Sequence, residues 1–131
     1  MKIHRSSEDY LEAMLMLSEK HGYIRSLDVA LQLGVSKPSV SYAVKRLREG
    51  GYVTMDSDSL ITLTDTGMEI AKRIYTRHRL LTEFLVRLGV SEDTARGDAC
   101  RIEHDISDES FDAIVKHAGI GLSAPDNKVL S

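Results

Sequence analysis

The sequence predicts a mainly α-helical chain with one small β-hairpin, and three observations carry that reading. Apolar residues recur at helical spacing along most of its length. Serine and glycine punctuate the pattern where helices would start and stop. The period changes to strand-like only once, between Tyr52 and Thr64.

Taken in order, Ser6 and Ser7 offer capping hydroxyls to a first helix. Glu8 and Asp9 lie in its opening turn, where the positive end of the helix favours carboxylates. Leu11, Met14, Leu15 and Ser18 keep its spacing, and Gly22 ends it. Ser26 is read as the cap of a short second helix with Val29, Ala30 and Leu33 inward, closed by Gly34. Ser36 caps a third helix. Pro38 falls in its first turn, where a missing N–H costs little. Its inner stripe is Val40, Ala43, Val44 and Leu47, and Gly50-Gly51 stops it.

The hairpin follows: Tyr52, Val53 and Met55, the polar cluster Asp56–Ser59, then Leu60–Thr64. Thr66 and Glu69 have capping-box spacing and open a long helix bearing Ile70, Ile74, His78, Leu81, Leu85 and Leu88 on one face. Over residues 66–88 it would be roughly 35 Å long. Ser91 and Ser107 read as caps of two further helices, over 92–106 and 108–118. The domain expectation is therefore a winged helix-turn-helix over 1–73, a helical domain over 74–118 and a flexible tail over 119–131.

Bulk properties narrow the class. Hydrophobic residues at 42% and charged residues at 28% are an ordinary globular balance, which argues against disorder. No apolar run approaches the roughly 20 residues of a membrane span, so no membrane partner is expected. The start, MKIHRSSEDY, lacks the apolar core of a signal peptide. The single cysteine, Cys100, excludes an internal disulfide and suits a reducing cytoplasm. Net charge is −3 but unevenly placed: residues 1–50 hold eight basic and six acidic side chains, residues 51–131 nine and fourteen. A basic front half suits a module that offers one face to nucleic-acid phosphates.

Helix, tight turn at Gly34, helix and hairpin is the order of a winged helix-turn-helix, whose third helix is slim enough for the DNA major groove. The candidate DNA-binding residues are Ser36, Lys37, Pro38, Ser39, Ser41, Tyr42, Lys45 and Arg46, with Arg48 also outward. Cations neutralise phosphates, and short hydroxyls let the backbone approach. Tyr42 is the favoured base or sugar contact. The wing tip at Asp56–Ser59 is acidic and is expected to add little affinity. Each cation alone reads equally well as a solvated surface charge; the arrangement carries the inference.

A second constellation points to metal. Cys100, Glu103 and His104 stand at i, i+3 and i+4, read as one face of one helix. Asp9 and Glu12 are three apart on the first helix, and His78 interrupts an apolar stripe. Carboxylate and imidazole suit Mn²⁺ and Fe²⁺, whereas a thiolate pulls toward Fe²⁺, Co²⁺ or Zn²⁺. Each residue also has an ordinary reading: a helix-end carboxylate, a surface acid, a small buried thiol.

The segments SEDYLEAM, LGVSKPSVSYAVKRL, LTDTGMEIAKRIYTRHRLLTEFL and DACRIEHDIS resemble the diphtheria toxin repressor and manganese transport regulator family. The resemblance covers about residues 6–118, with Arg-His-x-Leu-Leu and Glu-His-x-x-Ser its most specific parts. It implies a homodimer that binds double-stranded operator DNA when loaded with a divalent ion and represses metal-uptake genes. It places Asp9, Glu12, His78, Cys100, Glu103 and His104 at the regulatory ligand positions. Asp9 matches the manganese branch, where the iron branch has methionine. Cys100 matches the iron branch, where the manganese branch has glutamate. Thr82 and Arg96 stand where the iron branch has its ancillary ligands, so that second site is expected to be absent. At this length the SH3-like domain of the iron branch is expected to be absent, as in the manganese branch.

Two rivals remain. One is a metal-independent winged-helix factor with Cys100 as a redox sensor. The other, a metal-dependent hydrolase, has little support: there is no His-Glu-x-x-His, phosphate loop or nucleophile elbow, and no small organic substrate is expected.

Overall fold

The computed structural model describes residues 5–119, which fall into two compact units meeting between Lys72 and Arg73. The tail expected from residue 119 onward lies outside the described residues apart from Gly119.

The first unit contains α1 (Arg5–His21), β1 (Ile24–Arg25), α2 (Ser26–Leu33), α3 (Lys37–Glu49), β2 (Val53–Met55) and β3 (Leu60–Leu63). Helix α4 (Asp65–Arg87) begins in this unit and carries the chain into the second. The three N-terminal helices pack on one another around Leu11, Met14, Val29 and Val40, all of them fully buried. Gly34 ends α2 with φ of 67°, a left-handed value that a Cβ would strain, and its N–H returns to Ala30 O. Ser36 caps α3 by accepting from Ser39 N at 3.2 Å, as read from the sequence.

Several local readings need correction. Ser6 and Ser7 lie inside α1. Ser26 is the first residue of α2, because Arg25 takes the extended capping conformation while pairing with Leu60. That pairing creates β1, which no periodicity revealed, and turns the hairpin into a three-stranded sheet of order β1-β3-β2. The strand is only two residues long; it forms because Ile24 is buried opposite Ile61. Thr64, not Thr66, caps α4: its hydroxyl donates to Gly51 O at 2.7 Å and accepts from Gly67 N at 3.1 Å. Gly67 makes this junction possible. A Cβ there would lie 2.0 Å from the Tyr52 carbonyl oxygen.

The second unit holds the rest of α4, α5 (Glu92–Ile102) and α6 (Asp108–Ala118). Its core is Leu80, Leu81, Ala99, Phe111 and Val115, with Phe84, Ile106 and Ala118 packed against it. Ser107 caps α6 through Ser110 N, but Ser91, at the corresponding place before α5, makes no side-chain capping bond. Helix α5 stops at Ile102 rather than at 106. Asp105 N and Ile106 N both turn back to Ile102 O, and the carbonyls of Glu103 and Ile106 are taken by Arg77. No described helix is long and apolar enough to cross a membrane.

Candidate nucleic-acid interface and metal centre

In the first unit, α3 buries Val40, Val44 and Leu47 and exposes Lys37, Pro38, Ser39, Ser41, Tyr42, Lys45, Arg46 and Arg48. Ser36, at the cap, is exposed as well, and its hydroxyl donates to Ser39 Oγ at 2.9 Å. The amphipathic spacing thus separates a packing stripe from a basic, hydroxyl-bearing face. Tyr42 is 62% exposed, and its hydroxyl accepts from Arg46 Nη1 at 3.1 Å. The Arg46 guanidinium also lies 5.8 Å from the Tyr42 ring centroid. The Tyr42 hydrogen bond pushes the Arg46 pKa up further, so the charge is held at every working pH.

These two side chains, with Lys45, Glu49 and Gly50, line a cleft of about 380 Å³. Neither Glu49 nor Gly50 is a binding candidate in the sequence reading: Gly50 reads there as a helix stop, and Glu49 locally as one more acid near a helix end. At the wing, Asp56 Oδ1 accepts from Asp58 N and Leu60 N at 2.8 and 3.0 Å. One of the two wing acids therefore builds the turn rather than facing a ligand.

The second unit brings three of the sequence-derived ligand candidates together. His78 Nδ1 lies 2.8 Å from Glu103 Oε1, and His104 Nε2 lies 3.5 Å from Glu103 Oε2. The Glu103 and His104 side chains are 0% and 1% exposed, and that of His78 22%. A carboxylate flanked by two imidazoles is a donor set that first-row divalent ions accept. Thr82 donates to His78 O at 2.7 Å, tying down the turn that carries this imidazole.

Cys100 does not share the buried face of Glu103. It is exposed, immediately after the fully buried Ala99. The single helical face expected for Cys100, Glu103 and His104 is thus corrected. Three positions fall about 60° short of a full helical turn, and the boundary between buried and exposed runs between them. On α1 in the first unit, Glu12 is buried and Asp9 half-buried. Among the described residues, neither unit alone brings three His, Cys, Asp or Glu ligand atoms within 4.8 Å of one another.

Sequence reasoning missed Arg77. Its side chain is 5% exposed and bonds the carbonyls of Glu103 and Ile106 and the carboxylate of Asp108. A signal existed: Arg77 falls in phase with the apolar Ile74 and Leu81, a charge on a packing stripe.

Two family models match the chain. Residues 2–59 match the family described as iron dependent repressor, N-terminal DNA binding domain. Residues 64–126 match the iron dependent repressor metal binding and dimerisation domain. The HTH-type transcriptional regulator MntR of Lysinibacillus sphaericus is 36% identical over 121 residues, 92% of this chain and 87% of that protein. The chain belongs to the iron-dependent repressor family. The MntR regulator of Bacillus subtilis is 39% identical over 83% of this chain and 77% of its own length.

Among solved structures, the manganese regulator SloR superposes with a TM-score of 0.77 at 32% identity, over 91% of this chain and 55% of the SloR chain. A manganese-dependent transcriptional repressor in complex with manganese gives 0.78 at 33%, over 86% and 52%. The chain thus spans about half the length of those structures. As a family member it is a metal-dependent transcriptional regulator, not an enzyme, with a DNA-binding domain followed by a metal-binding and dimerisation domain.

Proposed function

We propose that this regulator is a cytoplasmic repressor of metal-uptake genes, acting as a homodimer on operator DNA when loaded with Mn²⁺ or Fe²⁺. Co²⁺ and Zn²⁺ are further candidates. The observation that carries the metal reading is the buried Glu103 carboxylate between His78 and His104. The proposed ligands are Asp9, Glu12, His78, Cys100, Glu103 and His104, the set that the family resemblance implies. A bound ion would supply positive charge and fixed coordination among these groups. Cys100, exposed and soft, is the member that would shift preference from Mn²⁺ toward Fe²⁺, Co²⁺ or Zn²⁺.

The proposed DNA face is that of α3, from Ser36, Lys37, Pro38 and Ser39 through Ser41, Tyr42, Lys45 and Arg46. It is supported by the exposure of all eight residues. If the ion binds the DNA-competent state preferentially, operator affinity rises, and DNA tightens metal binding in return. A coupling of about 1–3 kcal/mol corresponds to roughly 5–150-fold. The deciding experiment measures operator binding anaerobically, in chelator and then in micromolar Mn²⁺, Fe²⁺, Co²⁺ and Zn²⁺. Equal affinity under all conditions overturns the metal reading. A redox sensor without metal would instead lose its response in Cys100→Ser and keep it in Glu103→Ala.

A further inference from the structure

Among the described residues, Arg77 is the only basic residue in the buried class. An arginine taken out of water is costly unless its donors are met, and here they are met by one short stretch of chain. Nη1 donates to Glu103 O at 3.0 Å and to Ile106 O at 2.6 Å. Nη2 pairs with the Asp108 carboxylate at the start of α6, and Phe111 lies 5.3 Å beneath the guanidinium carbon. The two carbonyls flank His104 and Asp105. Glu103 O lies at the C-cap of α5, where a helix leaves carbonyls without intrahelical donors and a cation is favoured, and Ile106 O lies in the link just before the α6 cap Ser107.

We propose that Arg77 is a positioning residue for the metal centre. By clamping the carbonyls on either side of His104, it presets Glu103 and His104 against His78, its own neighbour on α4. The inference rests on the ligand reading above and adds what holds those ligands in place. The guanidinium suits the task because its planar fork reaches several acceptors at once, where a lysine ammonium acts as a point charge. Groups that orient metal ligands typically contribute 10–100-fold to affinity, and the clamp is expected to fall in roughly that range.

The test uses the full chain under anaerobic conditions, titrated with Mn²⁺ by calorimetry and with Co²⁺ by absorption. Arg77→Lys should bind both ions roughly 10–100-fold more weakly and change the Co²⁺ ligand-field spectrum. Val115→Ala, which thins the same core without touching the clamp, should lower thermal stability and keep wild-type affinity and spectrum. Wild-type binding by Arg77→Lys overturns the proposal. So does an equal affinity loss in Val115→Ala, which would make the role one of stability alone. If Arg77→Lys does not fold by circular dichroism, Asp108→Asn decides, since it releases only one partner of the clamp. A several-fold loss there supports the proposal and unchanged affinity overturns it. A wild-type chain that binds neither ion overturns the ligand reading itself, a result distinct from failure of the clamp.

Discussion

The two units keep their functional groups under opposite conditions. In the first, the cations of α3 stand in solvent, while the apolar residues beneath them hold the helix. In the second, Glu103, His104 and Arg77 are buried, and each stands beside other polar groups. Exposed charge is cheap to keep and cheap to lose, so the proposed DNA face can change with little effect on folding. Buried charge needs its partners, so change at the proposed metal centre is coupled to packing.

That contrast can be broken or sharpened experimentally. The largest effect is expected for Glu103→Gln, which keeps the volume and removes the charge between two imidazoles. It should abolish the metal response of operator binding, forfeiting the full coupling of roughly 5–150-fold. Fluorescence anisotropy of labelled operator with and without Mn²⁺ reads this directly, and a retained response would remove Glu103 from the ligand set.

Next comes Gly67→Ala, where the added Cβ meets the Tyr52 carbonyl rather than a yielding side chain. It should cost about 2–3 kcal/mol, the upper part of the range for overpacking, measured by denaturant unfolding. A neutral result would show that the turn at Gly51 and Tyr52 yields freely. The weak point of the first unit would then not be this backbone junction.

A smaller effect is expected for Arg46→Ala. Binding should weaken about equally for all DNA sequences, and the dependence of log affinity on log salt should flatten by about 1. Stability should change by no more than about 0.5 kcal/mol. A large fall in stability would contradict the claim that this face is energetically separate from the fold. The smallest effect belongs to Leu31→Ala, at a position 73% exposed on α2. Its unfolding free energy should stay within about 0.5 kcal/mol of wild type.

Much of this was legible before any coordinates. Ser36 with Pro38 and the Val40–Val44–Leu47 stripe announced α3, because a cap and a 3.6-residue period are local properties. Glu103 and His104 stood out by residue type and adjacency. Arg77 did not, since its meaning depends on two carbonyls and a carboxylate 26 to 31 positions away. Thr64 was passed over in favour of Thr66 for a similar reason: its hydroxyl is fixed by Gly51, which lies 13 residues back across the hairpin.

The amino-acid sequence by itself determined the helical build, the helix-turn-helix order, the basic face of α3 and the residue types proposed as metal ligands. These rest on spacing within a few residues, and i, i+3 and i+4 neighbours are the same wherever the helix is placed. Only the tertiary structure decided that Ile24 and Arg25 form a strand, that α5 stops at Ile102, and that Cys100 is exposed while Glu103 is buried. Each of those outcomes depends on which distant segment supplies a hydrogen bond or covers a surface.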